Sequence, residues 1–144
     1  MTLALAEARA AGARGEVPVG AVITDCNSGT VVARAGNRVE ELCDPTAHAE
    51  ILVIREAAAA LGTARLTGYD LTVTLEPCAM CAQAIALARL EKVTFGAYDP
   101  KGGGVEHGAR VFQQPTCNHR PEIVGGLEER EAAALLRGFF RERR

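Results

Sequence analysis

Hydrophobic and polar positions follow two different periods along this chain, which predicts a mixture of strands and helices. Short β-branched segments bounded by turn residues predict strands; they lie at 17–24, 30–34, 70–75, 92–97 and 121–124. Longer segments rich in alanine and leucine predict helices; these lie at 2–13, 47–60, 77–89 and 128–141, with a short helical piece near 108–113. Strands that alternate with helices indicate an α/β layered domain with a mixed sheet of about five strands.

Glycine and proline residues predict where several of these elements begin and end. Gly62 is expected to end the second long helix, and Pro77 is expected at the first helical position of the third. The segment 36–47 is predicted as a loop. Gly102–Gly104 lacks the Lys-Ser/Thr that completes a phosphate-binding loop, so it predicts a flexible turn.

Composition narrows the class of protein. The chain has 144 residues, of which 48% are hydrophobic and 24% charged, and this suits one globular domain over 1–144. No apolar run is long enough to span a bilayer and no signal-peptide pattern opens the chain, so we expect a cytoplasmic protein with no membrane partner. The cysteines number five, an odd count that argues against a disulfide framework.

Charge is unevenly distributed. The net charge of −2 argues against a broadly basic, non-specific nucleic-acid surface. The last eight residues, 137–144, nevertheless hold four arginines against one glutamate. The local field of that terminus can matter more than the sum over the chain.

Two short fragments carry the candidate chemistry, T-A-H-A-E at 46–50 and E-P-C-A-M-C at 76–81. His48, Cys78 and Cys81 make a three-ligand zinc set, which leaves the fourth tetrahedral position open for water, as in a catalytic site. We therefore expect one Zn²⁺ per chain. Glu50 lies two residues from His48, where it can move protons for that water.

The spacing also predicts how the ligands meet. Cys78 and Cys81 are three residues apart and share one face of a helix start, where the partial positive charge favours thiolates. His48 and Glu50 begin another helix, and at an open first turn both side chains can reach a site beyond the helix end. Two helix N-termini are thus expected to converge on one zinc.

The order H-x-E and then P-C-x-x-C is the signature of zinc-dependent deaminases, in which activated water attacks C4 of cytosine or C6 of adenine. In such a site Glu50 acts first as a general base and then as an acid toward a ring nitrogen and the departing ammonia. Two alternatives of other classes stay open: a non-catalytic, zinc-stabilised binding module, and a CxxC thiol oxidoreductase.

Further segments narrow the deaminase class. They are E-V-P-V-G-A-V at 16–22, G-N-R at 36–38, D-P-T-A-H-A-E at 44–50, T-L-E-P-C-A-M-C at 74–81, F-G-A-Y-D-P-K at 95–101, N-H-R-P-E-I at 118–123 and G-F-F-R-E-R-R at 138–144. On these segments the chain resembles, over nearly its whole length, the bacterial tRNA-specific adenosine deaminases. Members of that family convert adenosine to inosine at the wobble position (34) of tRNA-Arg.

The resemblance implies a three-layer α/β/α cytidine-deaminase-like fold and a homodimer that binds the anticodon stem-loop of tRNA. It implies zinc ligands and a proton shuttle at the positions named above. It also implies residues that bind substrate: Asn37 at the target base, Asp99 and Lys101 near the anticodon backbone, and Phe140 and Arg141 on the C-terminal helix.

One loop departs from the family pattern. The segment G-G-G-V-E-H-G at 102–108 differs from the frequent form, and His107 stands where serine is common. Together with the acidic net charge, this loop keeps a second hypothesis of the same superfamily open, a free nucleobase deaminase acting on guanine or cytosine.

Overall fold

A five-stranded mixed sheet forms the centre of the computed structural model, which describes all 144 residues. The strands are β1 (Gly20–Asp25), β2 (Val31–Gly36), β3 (Tyr69–Leu75), β4 (Lys92–Ala97) and β5 (Glu122–Gly125). Their order in the sheet is β2-β1-β3-β4-β5. β1 is antiparallel to both β2 and β3, whereas β3, β4 and β5 are parallel.

Helices cover both faces of this sheet. They are α1 (Thr2–Ala13), α2 (Val39–Leu42), α3 (Ala49–Leu61), α4 (Ala79–Ala88) and α5 (Glu129–Arg141), with a 3-10 turn at Val111–Gln113. α1 and α5 contact each other and the sheet on one side, and α3 and α4 pack together on the other. The predicted three-layer α/β/α fold is therefore confirmed.

Apolar cross-strand pairs build the core between the sheet and α3. Ile23 pairs with Leu71, which in turn pairs with Val93, and the next row joins Val73 to Phe95. All five side chains are fully buried. They belong to one cluster that also contains apolar residues of α3 and α4, so the core fixes the position of both helices that begin at the candidate site.

Glycine in the strands lets the opposite helices approach closely. A Cβ at Gly20 would overlap the backbone of α1 at Ala4, and one at Gly96 would lie 2.9 Å from the Cβ of Ala132 in α5. Alanine on the facing helices, fully buried at Ala4 and Ala8, completes this tight packing. A side chain larger than hydrogen at either glycine would push a helix off the sheet.

Two predicted boundaries at the N-terminal half were wrong. The first strand begins at Gly20 rather than at residue 17, because Pro18 has no N–H for a ladder and the Val19 N–H bonds to the Val17 carbonyl at 2.8 Å. The segment predicted as a loop contains α2, whose four residues are too few for a periodic signal.

The prediction for Pro77 was also wrong by two residues. α4 begins at Ala79 and Cys78 is its N-cap, with extended backbone at φ −69° and ψ 174°. Pro77 therefore precedes the cap and stiffens the approach to it. Gly62 does end α3, in the left-handed conformation that favours glycine. None of the helices is both long and apolar enough to cross a membrane.

Candidate functional site

The N-termini of α3 and α4 meet at the three predicted metal ligands. His48 is the N-cap of α3, Cys78 is the N-cap of α4, and Cys81 lies in the first turn of α4. His48 Nδ1 lies 3.7 Å from Cys78 Sγ and 3.6 Å from Cys81 Sγ. The three ligand atoms all lie within 4.8 Å of one another, so the predicted convergence of two helix starts is confirmed.

These distances fit a tetrahedral zinc ion. Bond lengths of about 2.3 Å to sulfur and about 2.0–2.1 Å to nitrogen place the two ligand atoms about 3.6 Å apart across a tetrahedral angle. The observed separations match that value. No fourth His, Cys, Asp or Glu joins the group, so these residues could hold one ion and leave one coordination position to a small molecule.

The two sulfurs differ strongly in acidity without a metal. The hydrogen bond with Cys81, and then that with His48, lowers the pKa of Cys78 to about 4 against the opposing effect of burial. The same hydrogen bond with Cys78, together with burial, raises the pKa of Cys81. The hydrogen bond to Cys78 also raises the pKa of His48. A zinc ligand needs the thiolate form of cysteine, and the lowered pKa of Cys78 favours that form at one of the two sulfurs.

Glu50 lies in the first turn of α3 and is only 4% exposed. Burial raises the pKa of its carboxyl group to about 7, although the nearby His48 opposes the shift. A carboxyl group with a pKa near neutrality can both accept and donate a proton at physiological pH. Glu50 is not among the residues that group as metal ligands.

Asn37 fixes the start of α3 from the neighbouring segment. Its Oδ1 accepts a hydrogen bond of 2.8 Å from the Ala49 N–H, and its own N–H donates to the Val19 carbonyl at 3.0 Å. The amide orientation is set by the first bond, so Nδ2 remains a donor with no protein partner. The side chain is 7% exposed and borders the cavity described next.

A cavity of about 710 Å³ opens onto the candidate site, which is the usual size of a ligand pocket. His48, Glu50 and Cys78 line it, and two of the predicted substrate-binding residues, Asn37 and Asp99, line it as well. Sequence analysis missed two further lining residues, Phe139 and Arg143 of the C-terminal segment. The Arg143 guanidinium lies 3.5 Å from the centre of the Phe139 ring.

The other predicted substrate-binding residues lie in a separate groove. Lys101, Phe140 and Arg141 line it together with Leu136, Arg137 and Arg144. Its charged side chains are all basic, and Phe140 is 48% exposed. The helical period explains the separation, because consecutive residues of α5 point about 100° apart, so Phe139 and Phe140 cannot face the same cavity.

The glycine-rich segment after β4 is not the flexible turn that the sequence predicted. Gly103 and Gly104 are buried, and a Cβ at Gly104 would lie 2.6 Å from the Ala79 Cα at the start of α4. The segment packs directly against the chain that carries Cys78. Glu76 contacts the same segment, and no role was predicted for that residue.

Comparison with known proteins leads to the same family. The sequence profile of the family described as "Cytidine and deoxycytidylate deaminase zinc-binding region" matches residues 1–97. The chain is 60% identical over 144 residues to a tRNA-specific adenosine deaminase of Agrobacterium fabrum, covering all of this chain and 93% of that protein. It is 50% identical to the tRNA-specific adenosine deaminase of Bacillus subtilis, covering all of this chain and 88% of that protein.

Solved structures agree with these relatives. A structure from a study of A-to-I editing by tRNA:A34 deaminases at the wobble position of transfer RNA superposes with a TM-score of 0.92 at 60% identity, covering 94% of this chain and 97% of that one. A guanine deaminase from Nitrosomonas europaea superposes with a TM-score of 0.78 at 26% identity, covering 96% and 81%. The chain therefore belongs to the zinc-binding cytidine and deoxycytidylate deaminase family and, within it, to the bacterial tRNA-specific adenosine deaminases.

Proposed function

We propose that this chain deaminates adenosine to inosine at wobble position 34 of tRNA-Arg, bound through its anticodon stem-loop. One observation carries the proposal: a ligand trio of zinc geometry stands beside a buried, proton-accepting carboxylate in a cavity. The full-length identity of 60% to a tRNA-specific adenosine deaminase supports tRNA as the substrate.

The residues present suit a catalytic zinc ion. Two sulfurs and one imidazole nitrogen, from Cys78, Cys81 and His48, would hold it and leave one position open. When bound, zinc supplies Lewis-acid activation of water at neutral pH. The positive ends of α3 and α4 both point toward this place and favour the thiolate ligands.

Glu50 moves the protons of the reaction. Its carboxylate takes a proton from the attacking water while the new C6–O bond forms, and it delivers that proton to ring nitrogen N1. The second proton of the water passes to the amino group, the C6–N6 bond breaks, and ammonia leaves. The sum is adenosine plus water giving inosine plus ammonia. The raised pKa of Glu50, about 7 because of burial, suits both directions of transfer.

Asn37 is proposed to read the target base. Its Oδ1 is already used by the Ala49 N–H, so Nδ2 is left to donate a hydrogen bond to a ring acceptor of the purine. The target base must leave the stacked anticodon loop to reach this depth, as enzymes that act on a base require.

The basic groove is proposed to hold the RNA backbone. Lys101, Arg137, Arg141 and Arg144 line it without an acidic residue, which suits phosphate groups. The exposed ring of Phe140 in the same groove offers a surface on which an unpaired base can stack. Asp99 borders the catalytic cavity on the segment that also carries Lys101, which supports a position close to the anticodon.

We also propose a homodimer. Met80 and Leu87 are one heptad apart on α4, so they share a face, and Leu87 is 68% exposed. Sedimentation of the wild-type protein is expected to give a dimer and Leu87→Glu a larger monomer fraction. A wild-type monomer at micromolar concentration would contradict this part of the proposal.

Two expectations from the sequence stay proposals of the same kind. We propose that the chain acts in the cytoplasm and that residues 1–144 form one deaminase domain. The first is supported by the tRNA-specific relatives, and the second by the single sheet that joins all five strands.

The substrate is tested with purified, zinc-loaded protein. Inosine is measured in an anticodon stem-loop of tRNA-Arg with adenosine at position 34, and in a matched stem-loop whose only loop adenosine lies at another position. Inosine in the first RNA alone is the expected result. Turnover of free guanine or cytosine without inosine in either RNA would instead support the nucleobase deaminase hypothesis.

A further inference from the structure

Glu76 is a buried carboxylate just after β3, two residues before Cys78. Glu76 is 2% exposed. It accepts hydrogen bonds from three consecutive backbone N–H groups in the segment after β4. These are Val105 at 3.3 Å, Glu106 at 2.8 Å and His107 at 3.0 Å, all to Oε1.

The second oxygen of Glu76 binds the other end of the same segment. Oε2 accepts the N–H of Asp99 at 2.9 Å and lies 2.8 Å from Nδ1 of the His107 ring. We call residues 99–107 the clamped loop, because one carboxylate holds both of its ends.

Glu76 and the backbone N–H groups that it binds have few other partners. No lysine or arginine pairs with Glu76, and His107 is the only basic side chain that contacts its carboxylate. The four N–H groups that bind Glu76, those of Asp99 and of residues 105–107, donate to no backbone carbonyl. A buried carboxylate without such donors is strongly unfavourable. The burial of the Glu76 carboxylate therefore requires the observed conformation of the clamped loop, and the loop's N–H groups in turn require the carboxylate.

The clamped loop also touches the start of α4. The Gly104 N–H donates to the Pro77 carbonyl at 2.8 Å, and a Cβ at Gly103 would lie 2.5 Å from Glu76 Oε1. The loop therefore lies against the segment that carries Cys78, and glycine is needed for that approach.

Two residues proposed to face RNA lie on the clamped loop. Asp99 lines the catalytic cavity and Lys101 lines the basic groove. Their relative position is fixed locally, because Asp99 Oδ1 accepts the N–H groups of Lys101 and Gly102 at 3.2 and 2.9 Å. Whatever holds the Asp99 backbone thus holds both side chains.

We propose that Glu76 is a positioning residue for tRNA binding: its carboxylate holds the clamped loop so that Asp99 and Lys101 face the anticodon stem-loop beside the metal ligands. This inference rests on the proposed function. It gives a buried acid outside the metal-ligand group a role in substrate affinity rather than in proton transfer.

The variant Glu76→Gln tests the inference, because a glutamine has one acceptor oxygen where the clamped loop uses two. Either the Asp99 N–H or the three N–H groups of 105–107 must face an amide NH₂. The matched control is Glu122→Gln, which removes the same charge from an exposed side chain without hydrogen bonds or salt bridges. Both proteins are compared with wild type in the zinc-loaded state.

The first readout is hydrogen–deuterium exchange without RNA. Amides of the clamped loop are expected to exchange about tenfold faster or more in Glu76→Gln, with those of 82–88 in α4 unchanged. Unchanged exchange of the clamped loop would overturn the inference, whatever substrate the enzyme takes. This readout therefore fails separately from the proposed function, which falls if the wild-type enzyme forms no inosine in the stem-loop.

The second readout is steady-state deamination of the stem-loop. The KM of Glu76→Gln is expected to rise about tenfold, with kcat changed by less than about threefold and zinc content unchanged. A fall in kcat at constant KM would overturn the inference, since it would place Glu76 in the chemical step. If Glu76→Gln does not fold, Gly103→Ala displaces the loop without changing charge, and the same exchange and KM results are expected.

Discussion

The Asn37 side chain joins the cavity to the helix that carries Glu50. Its Oδ1 accepts the N–H of Ala49 at 2.8 Å, and Ala49 stands between His48 and Glu50 in the sequence. One amide group therefore fixes the first residue of α3 with its oxygen, while its nitrogen has no protein partner. The two halves of the side chain can be separated by mutation.

Asn37→Asp keeps the acceptor for Ala49 and removes the NH₂ donor. We expect zinc content and thermal stability close to wild type, and a kcat/KM for the stem-loop that is lower by roughly a hundredfold, because a buried hydrogen bond to the base is lost. Deamination kinetics at several RNA concentrations measure this. A kcat/KM equal to that of the wild type would show that Nδ2 does not touch the base.

Gly104 is expected to be intolerant of a side chain. In Gly104→Ala the new Cβ would lie 2.6 Å from the Ala79 Cα, and overpacking of this kind costs about 2 kcal/mol of unfolding free energy. Urea denaturation of the zinc-loaded protein gives the value.

Gly138→Ala is the matched control for that experiment. Gly138 lies inside α5, and apart from its two chain neighbours and the helix's own backbone no atom lies within 4 Å of the place that a methyl group would occupy. We therefore expect stabilisation by about 0.5–1 kcal/mol from helix propensity. Equal effects of the two substitutions would contradict the tight packing of Gly104 on α4.

The basic groove is expected to determine the salt dependence of RNA binding. Arg141→Ala removes one cation from the groove, which should reduce the slope of log K against log salt by about 0.7 if one phosphate of a single-stranded loop is lost. Fluorescence anisotropy at several salt concentrations measures the slope. Arg65→Ala, in an exposed segment after α3, is the control and should leave the slope unchanged.

Cys26 is expected to react slowly with alkylating reagents. Partial desolvation of this exposed thiol, and then the hydrogen bond and charge of Asp70 at 3.1 Å, raise its pKa to about 11. Since only the thiolate reacts, the rate should keep rising with pH up to about pH 11.

Asp70→Asn removes part of that shift. We expect the alkylation rate of Cys26 at pH 8 to increase by about threefold or more, because the pKa falls. Peptide mass spectrometry separates Cys26 from the other exposed thiol, Cys43, whose rate serves as the reference. An unchanged ratio of the two rates would contradict the influence of Asp70.

The grouping of the candidate metal ligands could be predicted from sequence because the signals for it are local. His48, Cys78 and Cys81 lie next to helix starts whose signals stand in the same short fragments, and the spacing within each fragment places the side chains at one helix end. The layered fold followed likewise from alternating strands and helices. Each of these predictions depends only on residues that are close together in the sequence.

The parts that sequence analysis missed depend on contacts between distant segments. Glu76 stands in a predicted fragment, but its partners at Asp99 and 105–107 come together only when β3 and β4 pair in parallel. Glycine-rich segments are usually flexible, but Gly103 and Gly104 are buried, and Gly104 packs against the start of α4. Which of the two rings, Phe139 or Phe140, faces the catalytic cavity depends on the rotation of α5 about its axis, and composition does not determine that rotation.

Glu50 is proposed as the proton shuttle of a metal site that deaminates adenosine 34. The most direct measurement is single-turnover inosine formation in the stem-loop by wild type and Glu50→Gln, with zinc content determined in both. We predict rapid inosine formation at position 34 by the wild type, one zinc per chain in both proteins, and a rate at least about a thousandfold lower for Glu50→Gln. Inosine formation by Glu50→Gln at a rate near wild type, or loss of its zinc, would contradict the account.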